Sequence, residues 1–355
     1  MKCDTKYKLH LNENQFGFVY HTEENHDWLD KDFSVYVESK METIPLIDKI
    51  SKKFCVGQDN IYLTNGIDES LLAIAIGVYR LKGKIAITEC TYNGFKIAIN
   101  YVADVFGEFV EDKICRISFN NFETNIDSAL EQIRGQDISV IYICNPHNPI
   151  GSVWSGDVNR FLDYTYANNI LVICDEAYAE YAENDDEVTN FKSLIDYAHE
   201  YTNIGVTRTF SKAYGLAGLR CGYFISYNDF LLSKMAKYHD VVPYSVNCVA
   251  YELGLKIIDN NVYLKQMVKQ TKESRNYLTR ELSKLGIKVY PSITNFILME
   301  SVGFTDELIN YLKEKNVMVK NANDFGIANH IRISVGRIEQ MKKTVKVIKN
   351  FLNNK

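Results

Sequence analysis

The stretch "ISVIYIC", Ile138 to Cys144, holds one serine among apolar side chains. A run this short, apolar at both alternating sets of positions, fits a strand buried on both faces of a sheet. Four further runs share its texture: "KIAIT" from Lys84, "ILVIC" from Ile170, "NIGVT" from Asn203 and "CGYFIS" from Cys221. Helical spacing separates several of them, as in Ser155 to Asn168. Upstream, "IYLTNGIDESLLAIAIGVYRL" (61–81) reads as strand, tight turn and helix, with Leu71, Ile74, Ala75 and Val78 on one helical face. The alternation predicts an α/β fold, a three-layer α/β/α unit around a mostly parallel sheet.

After residue 228 the texture changes. A long helical stretch, Val262 to Leu285, is rich in Lys and Glu. It is followed by "KVYPSITNFILME", a helix near Thr305 to Lys315, strand-like "NVMVK" and "HIRISV", and a last helix. This predicts a smaller α+β unit. The 355 residues exceed what one core usually organises. The expected division is an N-terminal arm (1–40) packing on the small unit or on a partner subunit, a large domain (41–255) and a small domain (256–355).

Composition narrows the function. Hydrophobic residues make up 46% and charged residues 24%, with a net charge of −5 and both signs interspersed. That balance gives no footprint for nucleic acid or a membrane surface. No run reaches transmembrane length, and "MKCDTKYKLHLNEN" holds no apolar core of signal-peptide length. The eight cysteines form no CxxC, and most sit in apolar runs, so they read as reduced core residues of a cytoplasmic protein. The seven histidines show no metal-ligand spacing, and no metal site is expected.

Ligands of open α/β sheets bind beyond the carboxyl ends of the strands. Four polar stretches stand at such ends. "NGIDES" (65–70) opens a helix, where backbone N–H groups of Gly66, Ile67 and Asp68 and the helix dipole favour an anion. An ordinary capped helix would read the same way. "CNPHNPIG" (144–151) has two X-Pro steps, a stiff turn that fixes Asn148, or a plain strand exit. "ICDEAYAEY" (173–181) ends a buried strand on Asp175, where an unpaired carboxylate is costly, so a cationic partner is required. In "TRTFSKAYGLAGLRCGY" (207–223), Lys212 follows a strand between hydroxyl and small residues, and Arg220 returns eight positions later with a fork suited to phosphate.

Taken with "LNEN", "NFILME" and "RISVG", these stretches resemble, in order along nearly the whole chain, the fold type I aminotransferases that use pyridoxal 5′-phosphate. The nearest branch is the histidinol-phosphate aminotransferases. The resemblance implies that Lys212 bonds the cofactor aldehyde and then shuttles protons. It implies that Asp175 pairs with the pyridine nitrogen. Asn148 and Tyr178 would donate to the ring oxygen, and Tyr92 would stack on the ring. Gly66, Ile67, Asp68, Thr209, Ser211 and Arg220 would hold the phosphate. Tyr36 would reach the phosphate of a neighbouring subunit in a homodimer with shared sites. Arg332 would hold the substrate's anionic group, with Asn12 and Asn295 at the rim.

The implied reaction passes an amino group between L-glutamate and a small phosphorylated ketone, imidazole-acetol phosphate in the branch proper. Two other readings share the fold: transamination of another phosphorylated ketone, such as dihydroxyacetone phosphate, in glycan or natural-product biosynthesis, and decarboxylation of an amino-acid phosphate. The motifs after Lys212 favour an aminotransferase. Against the family pattern, Gln15 replaces a proline after "NEN", Val37 replaces one after Tyr36, "NPTG" becomes "NPIG", and Arg337 follows "SVG" in place of a small polar residue. Gln15 and Arg337 fall in regions that, by the resemblance, shape the substrate side of the pocket.

Overall fold

The computed structural model describes residues 6–18, 34, 36–37 and 45–354. The remainder of the expected arm lies outside the described residues. In chain order the elements are β1 (Tyr7–Lys8), α1 (Pro45–Phe54), β2 (Ile61–Thr64), α2 (Ile67–Val78), β3 (Lys84–Thr88), α3 (Gly94–Val105), β4 (Ile114–Ile117), α4 (Ile126–Ile133), β5 (Ile138–Cys144), α5 (Val158–Ala167), β6 (Leu171–Asp175), α6 (Ala179–Glu183), β7 (Ile204–Thr209) and β8 (Gly222–Ser226). They continue with α7 (Asp229–Val241), α8 (Cys248–Ile257), α9 (Asn261–Lys284), β9 (Phe296–Glu300), α10 (Thr305–Glu314), β10 (Val317–Met318), β11 (Lys320–Asn321), β12 (His330–Ser334) and α11 (Ile338–Asn353). Among the described residues, no helix is long and apolar enough to cross a membrane.

Seven strands form the central sheet in the order β2-β8-β7-β6-β5-β3-β4. Strand β8 runs antiparallel to β2 and β7, and the other pairs are parallel. The expected fold class is therefore present. The antiparallel strand has a consequence for the site: the carboxyl ends of the parallel strands and the amino end of β8 share one edge of the sheet. Helices α4, α5, α7, α8 and α9 each start behind an Asn or Asp whose side chain accepts the backbone N–H three residues on, which satisfies a donor that a helix start leaves free.

Strands β11, β12 and β9 make a small antiparallel sheet, and β1 pairs with β10 in parallel. The stretch expected as one strand, "NVMVK", is thus two. Val317 and Met318 pair with Tyr7 and Lys8, while Lys320 pairs with Arg332. One core packs the large sheet against its helices; a second packs α9, α10 and α11 on the small sheet and includes Leu9. Helix α9 serves both, giving Leu264, Met267 and Val268 to the first and Leu278 and Leu282 to the second.

Arg208 on β7 is fully buried. It donates to Glu176 at 2.8 Å, to Glu180 at 3.2 Å and to Glu183 at 2.6 Å. Burial pushes Glu180 up to about 7 against the pull of Arg208. The cluster ties β7 to the segment that carries Asp175 and Tyr178. A buried charge tolerates burial only when paired, so an arginine inside an apolar run was itself a signal for these carboxylates.

Candidate active site

A cavity of about 410 Å³ opens at the shared sheet edge, where the large sheet meets the small one. Its floor is Asp175, the last residue of β6, 2% exposed. One carboxylate oxygen accepts the Ala177 N–H at 3.0 Å and the other accepts the Tyr142 hydroxyl at 3.0 Å. These donors are neutral. Burial dominates them and pushes the carboxyl up to about 6. Tyr142 read as a core aromatic in β5, and nothing in its run marked it as the floor's partner.

Lys212 follows β7 and lines the cavity. Its Nζ donates to the Leu11 carbonyl at 3.1 Å and stands 5.8 Å from the centre of the Tyr178 ring. Burial, then the positive charge of Arg332, lowers its pKa to about 8. The Tyr178 hydroxyl accepts Asn12 Nδ2 at 3.0 Å and Asn148 Nδ2 at 3.5 Å; burial pushes its pKa up. Tyr92 also lines the cavity, with its hydroxyl donating to Asp68 at 2.7 Å.

The anion side is assembled from three chain ends. Gly66, with φ of 77°, turns β2 into α2. Its own N–H is taken by the Thr64 carbonyl, contrary to the expectation of a free donor. The N–H groups of Ile67 and Asp68 begin the helix and have no intrahelical acceptor. A Cβ at position 66 would come within 2.7 Å of the Arg220 guanidinium, so the glycine leaves space for it. Arg220, just before β8, donates to Asp68 at 2.8 Å and to Ser211 Oγ at 3.5 Å. Thr209 Oγ1 donates to Ser211 Oγ at 3.0 Å. The Asp68 carboxylate, read from sequence only for its backbone, thus occupies Arg220 here.

Arg332 on β12 enters from the small sheet. It is 5% exposed, between the rings of Phe296 and Phe325 at 5.3 and 4.9 Å. Nη1 donates to Asn148 Oδ1 at 2.6 Å and Nη2 to the His10 carbonyl at 2.8 Å, while the buried Nε has no hydrogen-bond partner among the described residues. Asn12 lines the cavity, but Asn295 does not. Asn295 is buried and donates to the Asn12 carbonyl at 3.0 Å, so it braces the wall instead of forming a rim. Tyr36 is 76% exposed and stacked on Tyr244 at 4.6 Å, outside this cavity. Gln15 and Arg337 do not line it either. His10, Lys320, Asp324 and Phe325 do, and the sequence reading missed them. Lys320 opens β11, while His10 follows β1 and Asp324 and Phe325 lie between β11 and β12, all brought in by the β1–β10 and β11–β12 pairings.

Comparison with known proteins agrees with this geometry. The family model for aminotransferase class I and II matches residues 32–348. The histidinol-phosphate aminotransferase of Thermoanaerobacter pseudethanolicus is 30% identical over 351 residues, covering 98% of this chain and 93% of the relative. The crystal structure of the histidinol-phosphate aminotransferase from Clostridium acetobutylicum superposes with a TM-score of 0.83 at 21% identity, over 98% of this chain and 100% of the other. That from Sinorhizobium meliloti, in complex with pyridoxal-5′-phosphate, gives 0.75 at 21% identity, over 98% and 91%. The chain belongs to the class I and II aminotransferases, as a histidinol-phosphate-aminotransferase-like member that depends on pyridoxal phosphate.

Proposed function

We propose that this enzyme transfers an amino group between L-glutamate and a small phosphorylated ketone. The observation that carries the reading is the distribution of charge in one cavity. Lys212 and Asp175 stand at its floor, Arg220 beside the start of α2, and two further cations, Arg332 and Lys320, at its far side.

The residues fit the cofactor. Among the described residues the hydrogen bonds to the buried Asp175 carboxylate come from neutral donors, and the protonated pyridine nitrogen would give it a cation in direct contact. Arg220, Ser211, Thr209 and the first turn of α2 would hold the phosphate. Tyr178 and Asn148, which line the same cavity, would meet the ring oxygen, and Tyr92 would cover the ring. When bound, the cofactor supplies an aldehyde for the amine and a ring that takes up the electron pair left at the substrate Cα.

The chain's own residues do the rest. With its pKa lowered to about 8, Lys212 is substantially neutral at mildly alkaline pH, the form that attacks a carbonyl and accepts the Cα proton at Nζ. The Leu11 carbonyl holds that nitrogen in place. Arg332 orients the substrate carboxylate or phosphate through its fork, and the flanking Phe rings keep water from the guanidinium. A homodimer, with Tyr36 completing the neighbouring phosphate site, belongs to the same proposal.

An acceptor screen with glutamate, following 2-oxoglutarate, tests it. Phosphorylated ketones should exceed their unphosphorylated analogues by at least about tenfold in kcat/KM, equal to about 1.4 kcal/mol of transition-state binding. Preference for uncharged 2-oxo acids, or carbon dioxide release from an amino-acid phosphate, would overturn the assignment.

A further inference from the structure

Arg337 is a poor residue for its position. It is the N-cap of α11, where a short polar side chain normally accepts a backbone N–H and where the helix dipole disfavours a cation. The cap is instead closed by Gln340, whose Oε1 accepts the Arg337 N–H at 2.7 Å. The guanidinium points to the N-terminal segment. Nε donates to the Gln15 carbonyl at 3.2 Å and Nη2 to the Phe16 carbonyl at 3.2 Å. Gln340 Nε2 donates to Gln15 Oε1 at 3.3 Å, and Gln15 Nε2 donates to the Lys8 carbonyl at 3.1 Å. A proline at position 15 could make neither side-chain bond.

The segment so held is a wall of the active site. Its His10 and Leu11 carbonyls receive Arg332 and Lys212. Asn12 reaches the Tyr178 hydroxyl, with its own N–H on Ser334. Asn14 reaches the Ala213 carbonyl and the Tyr263 hydroxyl. Both cores thus meet on eight residues that carry almost no core of their own.

We propose that Arg337, with Gln15 and Gln340, is a positioning residue that fastens residues 10–17 over the active site, and that through this strap it sets how tightly Arg332 and Lys212 are presented to substrate. The proposal rests on the cavity being the active site, not on which ketone it uses.

The test compares holoenzyme with Arg337→Ala, Arg337→Lys and Gln340→Ala variants. Backbone hydrogen exchange should rise at least about fivefold at Asn12, Phe16 and Gly17 in Arg337→Ala, as expected when a local closure loses a net hydrogen bond. The amides of Tyr7 and Leu9, held by residues 316 and 318, should change little. In the glutamate half-reaction KM should rise about threefold to tenfold while the maximal rate falls less than about twofold. Lysine, lacking the fork, should restore part of the protection, and Gln340→Ala should lose part of it. Unchanged exchange in residues 12–17 would overturn the strap, whatever the activity. Faster exchange there, with glutamate KM unaltered, would overturn its effect on substrate presentation. Neither outcome touches the choice of ketone, which the acceptor screen decides separately.

Discussion

Asp175→Asn separates the stability of this protein from its chemistry. The amide keeps the shape of the carboxylate, an acceptor for the Ala177 N–H, and a group able to meet the Tyr142 hydroxyl. Only the charge is removed. In the cofactor-free protein, burial raises Asp175 from 3.8 to about 6. A folded-state pKa above the unfolded one means that the folded state holds its proton longer. The native protein therefore loses stability as pH rises from about 4 through 6, and above that range the loss is complete, at about 3 kcal/mol. The amide does not titrate. The stability advantage of the variant over the parent should be small near pH 4.5, grow through about pH 6 and level off. Urea unfolding of both cofactor-free proteins from pH 4.5 to 8 measures it. With saturating cofactor the order should reverse, because the parent gains its missing cation, and single-turnover deamination of glutamate should collapse in the variant. A stability offset that does not change with pH, or a variant that reacts at the parent's rate, would refute the reasoning.

Lys212→Ala should lose the visible absorbance of lysine-bound cofactor, and borohydride should fix no cofactor to it. In the parent, covalent capture of added cofactor should accelerate as pH rises through about 8, because deprotonation frees the amine; stopped-flow absorbance gives the profile. Arg332→Lys replaces a fork by a point charge; losing one of two charge-assisted bonds, at about 1.5–3 kcal/mol, should lower kcat/KM about tenfold to a hundredfold in both half-reactions. Mixing Lys212→Ala with a weakly active Tyr36→Ala variant should regenerate activity if Tyr36 serves the neighbouring site; verified subunit exchange with no gain would sink that role.

Much of the fold was legible because its strands announce themselves. Runs such as "ISVIYIC" and "ILVIC" are too apolar for any surface, and the residues at their ends are the ones that meet in the cavity. Direction was not legible. "CGYFIS" is as apolar as its neighbours, yet β8 runs against them, and that reversal brings Arg220 to the edge where Lys212 follows β7. The connections were less legible still. Lys320 and Phe325 reach the cavity through pairings of two residues each, below any periodicity. Asn295 was expected at the rim from the resemblance alone; its Nδ2 donates to the Asn12 carbonyl. Asp68 was legible only through its backbone N–H, since whether its carboxylate faces its own helix or a distant arginine depends on where the arginine comes to rest.

Gln15 and Arg337 show what a pattern of departures contains that single positions do not. Each, taken alone, breaks a family motif, and each falls in a region expected to shape the substrate side of the pocket. They are 322 positions apart, and neither lines the cavity. Losing the proline at 15 removes a residue with fixed φ and no donor, which would have stiffened the segment by itself. A glutamine there leaves the backbone freer and adds an amide. Arg337 then supplies from outside the restraint that the proline would have supplied from within, through two carbonyls of the same segment. On this argument the two changes are one solution, and restoring Pro at position 15 should make Arg337→Ala less harmful than it is in the parent chain. Hydrogen exchange at Asn12 in the four proteins of that cycle reads the coupling directly. Strictly additive effects would mean that the two residues hold the strap independently.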